Sequence, residues 1–320
     1  MTSSRSLKVA TRGSRLALYQ TSKVVELIEG LPGSPRCETL VVHTAGDRLA
    51  DAPIEQIGGQ GVFVKEVSAA VLGGRADIAV HSAKDLPSTE QPGLVLAAVP
   101  DRADPRDALI GRRLDDLLPG GVVATGSVRR RAQLSWIRPD LTFCELRGNM
   151  ARRVERAEEA GAGVVALAAL ERLGLGARVA EVLEPATVMP QVGQGALAVE
   201  CRVTDTALVD LLSEIDDMTA HLALSAERAF LAALGGGCSL PCGALARPWG
   251  SQVSGGRGRV GLVLEGMLAS RDGHVLLRRS LTGEDPADLG RRLASDLLNR
   301  AGGQLLADWG VEQDASDRRA

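Results

Sequence analysis

Apolar residues in the first two thirds of the chain alternate between two spacings, and this alternation limits the possible folds more than any other feature. The segment Leu7–Thr11 has the character of a strand. The segment after it repeats small and apolar residues at the spacing of one helix face, namely Ala17, Thr21, Val24 and Ile28. Further on, DIAV and LVLAAVP are continuous apolar runs, as expected of parallel strands that helices cover on both sides. Repeated alternation of strand and helix predicts an α/β fold.

The same pattern restarts after the polar stretch PDRADPRD at 100–107, and a chain of 320 residues is longer than one hydrophobic core usually supports. The restart predicts a second α/β domain. Its strands are expected at Val122–Thr125, Leu141–Leu146 and Val164–Leu167. From about Thr219 the character changes, because a helix that ends at Gly235 is followed by two long strand-like runs and a final helix starting at Asp285-Pro286. We therefore predict a smaller α+β domain at the C-terminal end.

Composition argues against two classes of partner. Aromatic residues make up 2% of the chain and the net charge is −3, so neither base-stacking platforms nor a broadly basic surface for nucleic acid is expected. No apolar run approaches the length of a membrane-spanning helix, and the first residues lack the apolar core of a secretory signal. We expect a cytoplasmic protein that binds neither nucleic acid nor membrane.

The five cysteines are expected to be free thiols. Their number is odd and they are spread along the chain, which is not the pattern of a disulfide framework. Cys238 and Cys242 form a single C-x3-C pair, and the four histidines lie far apart, so no metal site is predicted.

Arginines concentrate in the predicted second domain, beside helix starts and strand ends. Strand carboxyl ends and helix amino ends lie on one side of a parallel α/β sheet, where ligands bind and helix N-termini favour anions. Hydroxyl and guanidinium groups there suit a carboxylate or phosphate ligand. The residues concerned are Thr125, Ser127, Arg129, Arg130, Arg131, Arg147, Arg152, Arg153 and Arg172. Each arginine taken alone fits a solvated helix face better than a site, so only the clustering favours a site.

Two segments of the predicted first domain extend this pattern. Arg12 and Ser14 lie between the first strand and the first helix, so a second anion site there would face the other across a cleft. The stretch AVHSAKDLP places Ser82, Lys84 and Asp85 just past a strand end, where a carboxylate could be an acid, a base or a counter-charge to a developing cation. The same stretch also fits a simple turn, since Asp and Pro favour turns.

Cys238 lies in the glycine-rich segment LGGGCSLPCGA. Glycines keep the backbone slim and permit unusual conformations, so this thiol could project from a loop into a cleft. A buried structural cysteine is the alternative, because a reactive thiol needs an environment that the sequence does not show.

Taken together, these segments resemble the porphobilinogen deaminase (hydroxymethylbilane synthase) family. The resemblance runs from about Val9 to Ala246, with the motifs in the family's order. The motifs are ATRGSRLALYQ, GVFVKE, RADIAVHSAKDLP, ADPRDALI, TGSVRRRAQL, LRGNMARR, LERLGLGAR, VGQGALAVECR, SAERAFL and GGGCSLPCGA.

The resemblance implies two α/β domains of the periplasmic-binding-protein type and a smaller C-terminal α+β domain. The first domain would comprise residues 1–102 with 195–216, the second 103–194 and the third 217–320. A monomer is expected by analogy with the family.

The resemblance also implies a transferase of tetrapyrrole and haem biosynthesis. Such an enzyme deaminates porphobilinogen, its small-molecule substrate, and adds four units head to tail to a covalent dipyrromethane cofactor. It then hydrolyses off linear hydroxymethylbilane. The cofactor would be held by a thioether to Cys238, and no metal would be needed.

Residue roles follow from the same resemblance. Asp85 matches the family's catalytic aspartate. Cofactor-side positions are matched by Ser82, Lys84, Asp85, Thr125, Ser127, Arg129 and Arg130. Substrate-side positions are matched by Arg12, Ser14, Arg147, Arg153 and Arg172. Each porphobilinogen carries an acetate and a propionate, which explains the need for several separate cationic and hydroxyl partners.

Three residues depart from the family pattern. Gly126 stands where a second serine is frequent, and Gln60 stands where a lysine is common. Both changes remove polar contacts and could weaken substrate affinity. Cys242 adds a thiol four residues after Cys238, but Cys238 follows the glycine pair as in the family.

Two other functions compete with this interpretation. A non-catalytic pair of hinged α/β domains could close on an anion, and it would need no reactive cysteine. A nucleic-acid-binding function would rest on Arg129–Arg131 and Arg152–Arg153 alone, and the net charge and scarcity of aromatic rings count against it.

Overall fold

The computed structural model describes residues 6–44, 61, 64–235, 240–249 and 261–306. Two positions singled out above, Gln60 and Cys238, lie outside these ranges. None of the helices in the described ranges is long and apolar enough to cross a membrane.

The strands, in chain order, are β1 (Leu7–Arg12), β2 (Cys37–Val42), β3 (Ile78–Ser82), β4 (Leu94–Ala98), β5 (Asp107–Ile110), β6 (Val122–Ala124), β7 (Thr142–Cys144), β8 (Gly163–Ala166), β9 (Val179–Leu183), β10 (Leu197–Arg202), β11 (Cys242–Trp249), β12 (Gly261–Ala269) and β13 (Leu276–Gly283). The helices are α1 (Arg15–Glu29), α2 (Lys65–Leu72), α3 (Val128–Ile137), α4 (Met150–Ala160), α5 (Leu167–Arg172), α6 (Thr206–Ser213), α7 (Met218–Ala233) and α8 (Pro286–Ser295).

Two five-stranded sheets share one arrangement. The first has the order β2-β1-β3-β10-β4 and the second the order β7-β6-β8-β5-β9. In each, three neighbouring strands run parallel, and the fourth strand along the sheet runs antiparallel to both of its neighbours. With their helices these sheets form a first and a second α/β unit.

The antiparallel strand in each sheet differs from the parallel sheet expected from the apolar runs. β3 and β4 carry the runs DIAV and LVLAAVP, and β10 lies between them with the opposite direction. A strand buried on both faces reads as a continuous apolar run whichever way its neighbours point, so this pattern does not report direction.

Helix starts follow local capping rules. Ser14 caps α1 by accepting from the Ala17 N–H at 3.2 Å, and Ser127 caps α3 by accepting from the Arg130 N–H at 3.4 Å. Each oxygen satisfies a backbone donor that has no partner inside its helix. Both serines therefore lie at the strand-to-helix turns where the sequence placed them.

The third unit is a three-stranded antiparallel sheet, β11-β12-β13, with α7 and α8 packed on it. Phe230 of α7 is fully buried among apolar residues of β12 and α8, including Leu264 and Leu293. The predicted fold class, two α/β units and a smaller α+β unit, is confirmed.

Two stretches of chain connect the first and second units, and they run side by side. Arg102 and Ala196 form an isolated antiparallel bridge, and the Ala103 N–H donates to the Gly195 carbonyl at 3.2 Å. Gly195 has φ +89°, and a Cβ there would lie 2.3 Å from the Ala103 carbonyl oxygen. Only glycine allows this close crossing. The domain boundaries given above remain a prediction.

Candidate active site

Asp85 interacts electrostatically with cations from both α/β units, Lys84 of the first and Arg153 of the second. Lys84 and Asp85 form a short 3-10 turn directly after β3, and Arg130 and Arg153 come from helices of the second unit. All four groups interact electrostatically, since the charges that act on Lys84 include those of the other three. The structure thus brings together groups that the sequence separates by about seventy residues at most.

Lys84 itself is half-buried. Burial lowers its pKa to about 8, and the guanidinium of Arg130 acts in the same direction. Its Nζ donates a hydrogen bond to the Gln194 Oε1 at 3.4 Å. Because these surroundings disfavour the ammonium form of Lys84, a bound anion would stabilise that form.

Arg153 is also affected by the charges of Arg130 and Asp85. Burial lowers its pKa, and the positive charges of Arg130 and Arg147 lower it further. Arg12, from the end of β1, acts in the same direction, and Asp85 opposes it. Arg153 Nε donates to the Gly148 carbonyl at 2.8 Å, which fixes the side chain at the start of α4. Four arginines that repel one another, Arg12, Arg130, Arg147 and Arg153, favour binding of an anionic ligand.

Arg129 and Arg130 both bind Asp107. The Arg129 and Arg130 guanidinium groups each donate to one Asp107 carboxylate oxygen at 2.8 Å. Arg129 also donates to the Met189 carbonyl, and Arg130 donates to the Val164 carbonyl at 3.0 Å. Both arginines are therefore held firmly inside the second unit, and the Nε of each is buried with no hydrogen-bond partner in the described residues.

The predicted hydroxyl groups take part in the turn before α3. Thr125 is buried, and its Oγ1 accepts from the Ser127 N–H at 3.2 Å. Ser127 in turn caps the helix that carries Arg130. Ser82, the last residue of β3, is half-buried and pairs with Leu197.

Arg147 lies three residues beyond β7, which is shorter than the strand predicted from the sequence. Its Nε donates to the Glu145 Oε2 at 3.1 Å, and Arg131 lies 3.6 Å from the other oxygen of Glu145. A Cβ at Gly126 would lie 3.2 Å from the Glu145 Oε2. The glycine at this departure from the family pattern therefore leaves room for the Glu145 carboxylate.

Arg172 lies at the junction of the two units. Its guanidinium donates to the Gly195 carbonyl at 2.7 Å. Burial lowers its pKa, while Tyr19 and Asp101 raise it. The charges acting on Arg172 come from Tyr19, Asp101 and Glu171, whereas those acting on Lys84 come from Arg130, Asp85, Asp107 and Arg153.

Cys242 is buried at the start of β11, with 6% of its surface exposed, among the apolar residues of the third unit. This position does not suit the attachment of a bulky group.

The side chains present fit a group that carries several carboxylates. They supply ammonium, guanidinium and hydroxyl donors from both units, and two buried guanidinium Nε atoms without hydrogen-bond partners in the described residues. A dipyrromethane with acetate and propionate arms has this chemistry.

Two buried residues of the site, Asp107 and Gln194, were missed by sequence reasoning. Asp107 opens the otherwise apolar run DALI, and Gln194 stands between glycines in VGQGA. A charged residue at the start of a buried strand requires a partner, which was the available signal.

Comparison with known proteins gives concordant matches. The family described as "Porphobilinogen deaminase, dipyromethane cofactor binding domain" matches residues 7–210, and "Porphobilinogen deaminase, C-terminal domain" matches residues 221–299. The chain is 44% identical over 312 residues to "Porphobilinogen deaminase" of Roseiflexus sp. (strain RS-1), covering 95% of this chain and 99% of that protein. It is 39% identical over 308 residues to the Bacillus subtilis (strain 168) protein of the same name, covering 94% and 96%.

Among solved structures, the methionine-binding protein MetQ aligns with a TM-score of 0.41 at 13% identity, covering 68% of this chain and 90% of that one. A score of this size does not by itself establish a shared fold. The family matches, in contrast, span nearly all of the chain and confirm the resemblance stated from the motifs. The chain belongs to the porphobilinogen deaminase family, as a transferase of the hydroxymethylbilane synthase type with a dipyrromethane cofactor binding domain.

Proposed function

We propose that this chain deaminates porphobilinogen and joins four units head to tail on a dipyrromethane held by a thioether to Cys238. The linear product would be hydroxymethylbilane, the precursor of tetrapyrroles including haem. The observation that carries the proposal is the cluster of cations from two α/β units around one carboxylate, Asp85.

The cations bind the carboxylate arms of substrate and growing chain. Lys84, Asp85 and Arg130 belong to the cofactor side, together with Ser82, Thr125, Ser127 and Arg129. Arg12, Ser14, Arg147, Arg153 and Arg172 form the substrate side. Charge-assisted hydrogen bonds from several separate donors hold a polycarboxylate more specifically than one strong site would.

Asp85 is the proposed catalytic group. Loss of ammonia from porphobilinogen leaves a cation on the substrate, and a fixed carboxylate stabilises positive charge where it develops. The same carboxylate can accept hydrogen bonds from pyrrole N–H groups and orient the ring.

The dipyrromethane, when bound, supplies the pyrrole carbon to which the first unit is joined. Cys238 is the proposed anchor because it follows the glycine pair of the family motif, whereas Cys242 is buried in the third unit. A thioether is not exchanged by cellular thiols as a disulfide is, so the anchor persists through many turnovers.

We further propose that the protein is a cytoplasmic monomer whose partner is a small molecule, with neither nucleic acid nor membrane bound. The net charge of −3 and the scarcity of aromatic rings support the absence of nucleic-acid binding.

Intact-protein mass spectrometry tests the proposal. The purified chain should carry a mass excess equal to two linked pyrroles, which Cys238→Ser removes and Cys242→Ser keeps. Active protein without the adduct, or an adduct that Cys242→Ser removes, would contradict the thioether at Cys238.

A further inference from the structure

Asp107 is the first residue of β5, the antiparallel strand inside the second sheet, and it is fully buried. A carboxylate withdrawn from water is costly unless charged partners and hydrogen bonds compensate it. Asp107 has three such donors. They are Arg129 on Oδ2, and Arg130 and Gln194 on Oδ1, each at 2.8 Å.

This carboxylate orients both arginines. Because Arg129 and Arg130 are adjacent at the start of α3, their side chains would otherwise diverge or repel each other. The two oxygens of Asp107 take one guanidinium each, and the carbonyl of Val164 gives Arg130 a second fixed contact. Burial alone would raise the pKa of Asp107, but the two guanidinium groups hold it well below its usual range. The lowered pKa favours the charged form of Asp107 at neutral pH.

Gln194 extends this contact to the first unit. It is fully buried in the second connection between the units. Its Nε2 donates to Asp107 and to the Pro105 carbonyl at 2.7 Å, and its Oε1 accepts from the Lys84 Nζ at 3.4 Å. One amide side chain therefore contacts the active-site lysine of the first unit and the buried carboxylate of the second.

Charges that face Lys84 come from four elements. Arg130 of α3 and Arg153 of α4 disfavour its ammonium form, whereas Asp85 of its own turn and Asp107 of β5 favour it. Removing the negative charge of Asp107 leaves Asp85 to oppose two guanidinium groups.

We propose that Asp107 is a positioning residue of this enzyme, which aligns Arg129 and Arg130 and, through Gln194, sets the location and charge of Lys84 across the junction of the two units. This inference rests on the proposed function for its meaning in catalysis. Asp107 is fully buried and does not itself reach substrate. Its effect must therefore be measured on the cations that it positions.

The test compares Asp107→Asn and Gln194→Met with wild type, both in the full chain as purified. Asp107→Asn keeps the volume and removes the charge, and Gln194→Met keeps the volume and removes the contact with Lys84. The pH at which Lys84 is half-labelled by acetic anhydride is read by peptide mass spectrometry. Asp107→Asn should lower this pH by about one unit, and Gln194→Met should lower it by less. The fraction of chains that carry the two-pyrrole mass should fall in Asp107→Asn.

Asp77→Asn is the matched control. Asp77 is also a buried carboxylate beside an arginine, 3.6 Å from Arg202, but it lies just before β3, at the opposite end of that strand from Lys84. This variant should lower the Tm yet leave the Lys84 midpoint in place. If Asp107→Asn does not fold, Gln194→Met alone decides the matter. A Lys84 midpoint that is unchanged or raised in the folded variants overturns the inference. Absence of the pyrrole mass in wild type would overturn the proposed function instead, and the Lys84 midpoint would still report on Asp107.

Discussion

Arg102 and Glu227 form a bidentate ion pair at the junction of all three units, with N–O distances of 2.6 and 3.1 Å. Glu227 also accepts from the backbone N–H groups of Gly193 and Ala246, at 2.8 and 2.9 Å. One buried carboxylate thus binds both connections between the α/β units and the first strand of the third sheet.

Replacing Arg102 by Leu should strongly destabilise the protein. The change leaves the Glu227 charge buried without its ionic partner, which typically costs roughly 3–5 kcal/mol in free energy of unfolding. Urea denaturation measures the effect. Arg292→Leu is the control, since its pair with Asp288 is exposed and contributes roughly 0–1 kcal/mol. Equal losses in the two variants would contradict a structural role for the Arg102 pair.

Asp85→Ala should keep the fold and abolish turnover. Asp85 is only partly exposed, yet no described helix or strand depends on its side chain for a cap. The rate of porphobilinogen consumption measures turnover, and the Tm measures the stability of the fold. Asp115→Ala removes an exposed carboxylate and should change neither quantity. Substantial turnover in Asp85→Ala would refute its assignment as the catalytic group.

Arg147→Leu should impair chain elongation more than cofactor assembly. Arg147 belongs to the proposed substrate side. The substitution removes a guanidinium that would bind the carboxylates of added units. Mass spectra should show the two-pyrrole adduct at near wild-type abundance but few longer chains. The neighbouring exposed Arg152→Leu serves as the control. Equal loss of adduct and longer chains would place Arg147 on the cofactor side.

Glu145→Gln should tighten substrate binding. The Glu145 carboxylate already occupies Arg147 Nε, so an incoming carboxylate must displace it. Since Glu145 is more than half exposed, the pair contributes at most about 1 kcal/mol, which corresponds to a roughly two- to fivefold lower KM. Glu158→Gln, which breaks the exposed pair with Arg178, should leave KM unchanged. A higher KM in Glu145→Gln would mean that Glu145 orients Arg147 for the substrate.

Chain elongation should slow on the alkaline side of neutrality, because Lys84 is a proposed cofactor-side residue that holds the carboxylate arms of the chain being extended. The pKa of Lys84 is lowered to about 8, so its ammonium form predominates below that pH and is lost above it. The elongation rate at saturating porphobilinogen should therefore fall between pH 7.5 and 9, and Lys84→Arg should flatten this fall because a guanidinium stays charged. The measurement is the rate of elongation as a function of pH. An alkaline fall that survives in Lys84→Arg would assign the effect to another group.

The sequence predicted the elements well where apolar spacing alone defines them. The α1 face with Thr21, Val24 and Ile28 is buried as expected, and Ser127 caps α3 at the predicted turn. The direction of β10 was not predictable, because burial on both faces erases the pattern that would distinguish parallel from antiparallel pairing.

Residues of the candidate site also differ in whether a local sequence pattern indicates them. Lys84, Asp85 and the second-unit arginines could be proposed from the sequence because motifs and helix termini mark them. Asp107 and Gln194 were not found, because Asp107 lies 22 residues from Arg129 in sequence and Gln194 lies 87 residues from Asp107. Contacts of that range depend on how the sheets are assembled, and no local spacing contains them. The assignment of individual residues to cofactor or substrate remains a prediction.

Because β10 is an interior strand of the first sheet but comes late in the sequence, it affects the order in which the two sheets can be completed during synthesis. β5 to β9 occupy one continuous stretch that ends at Leu183, whereas the first sheet lacks an interior strand until Arg202 has been translated. Among the strands that the structure describes, β4 pairs with β10 alone, so the earlier portion of the nascent chain keeps an open sheet edge until β10 has been made. In this protein the N-terminal sheet is the second of the two to be completed on the ribosome.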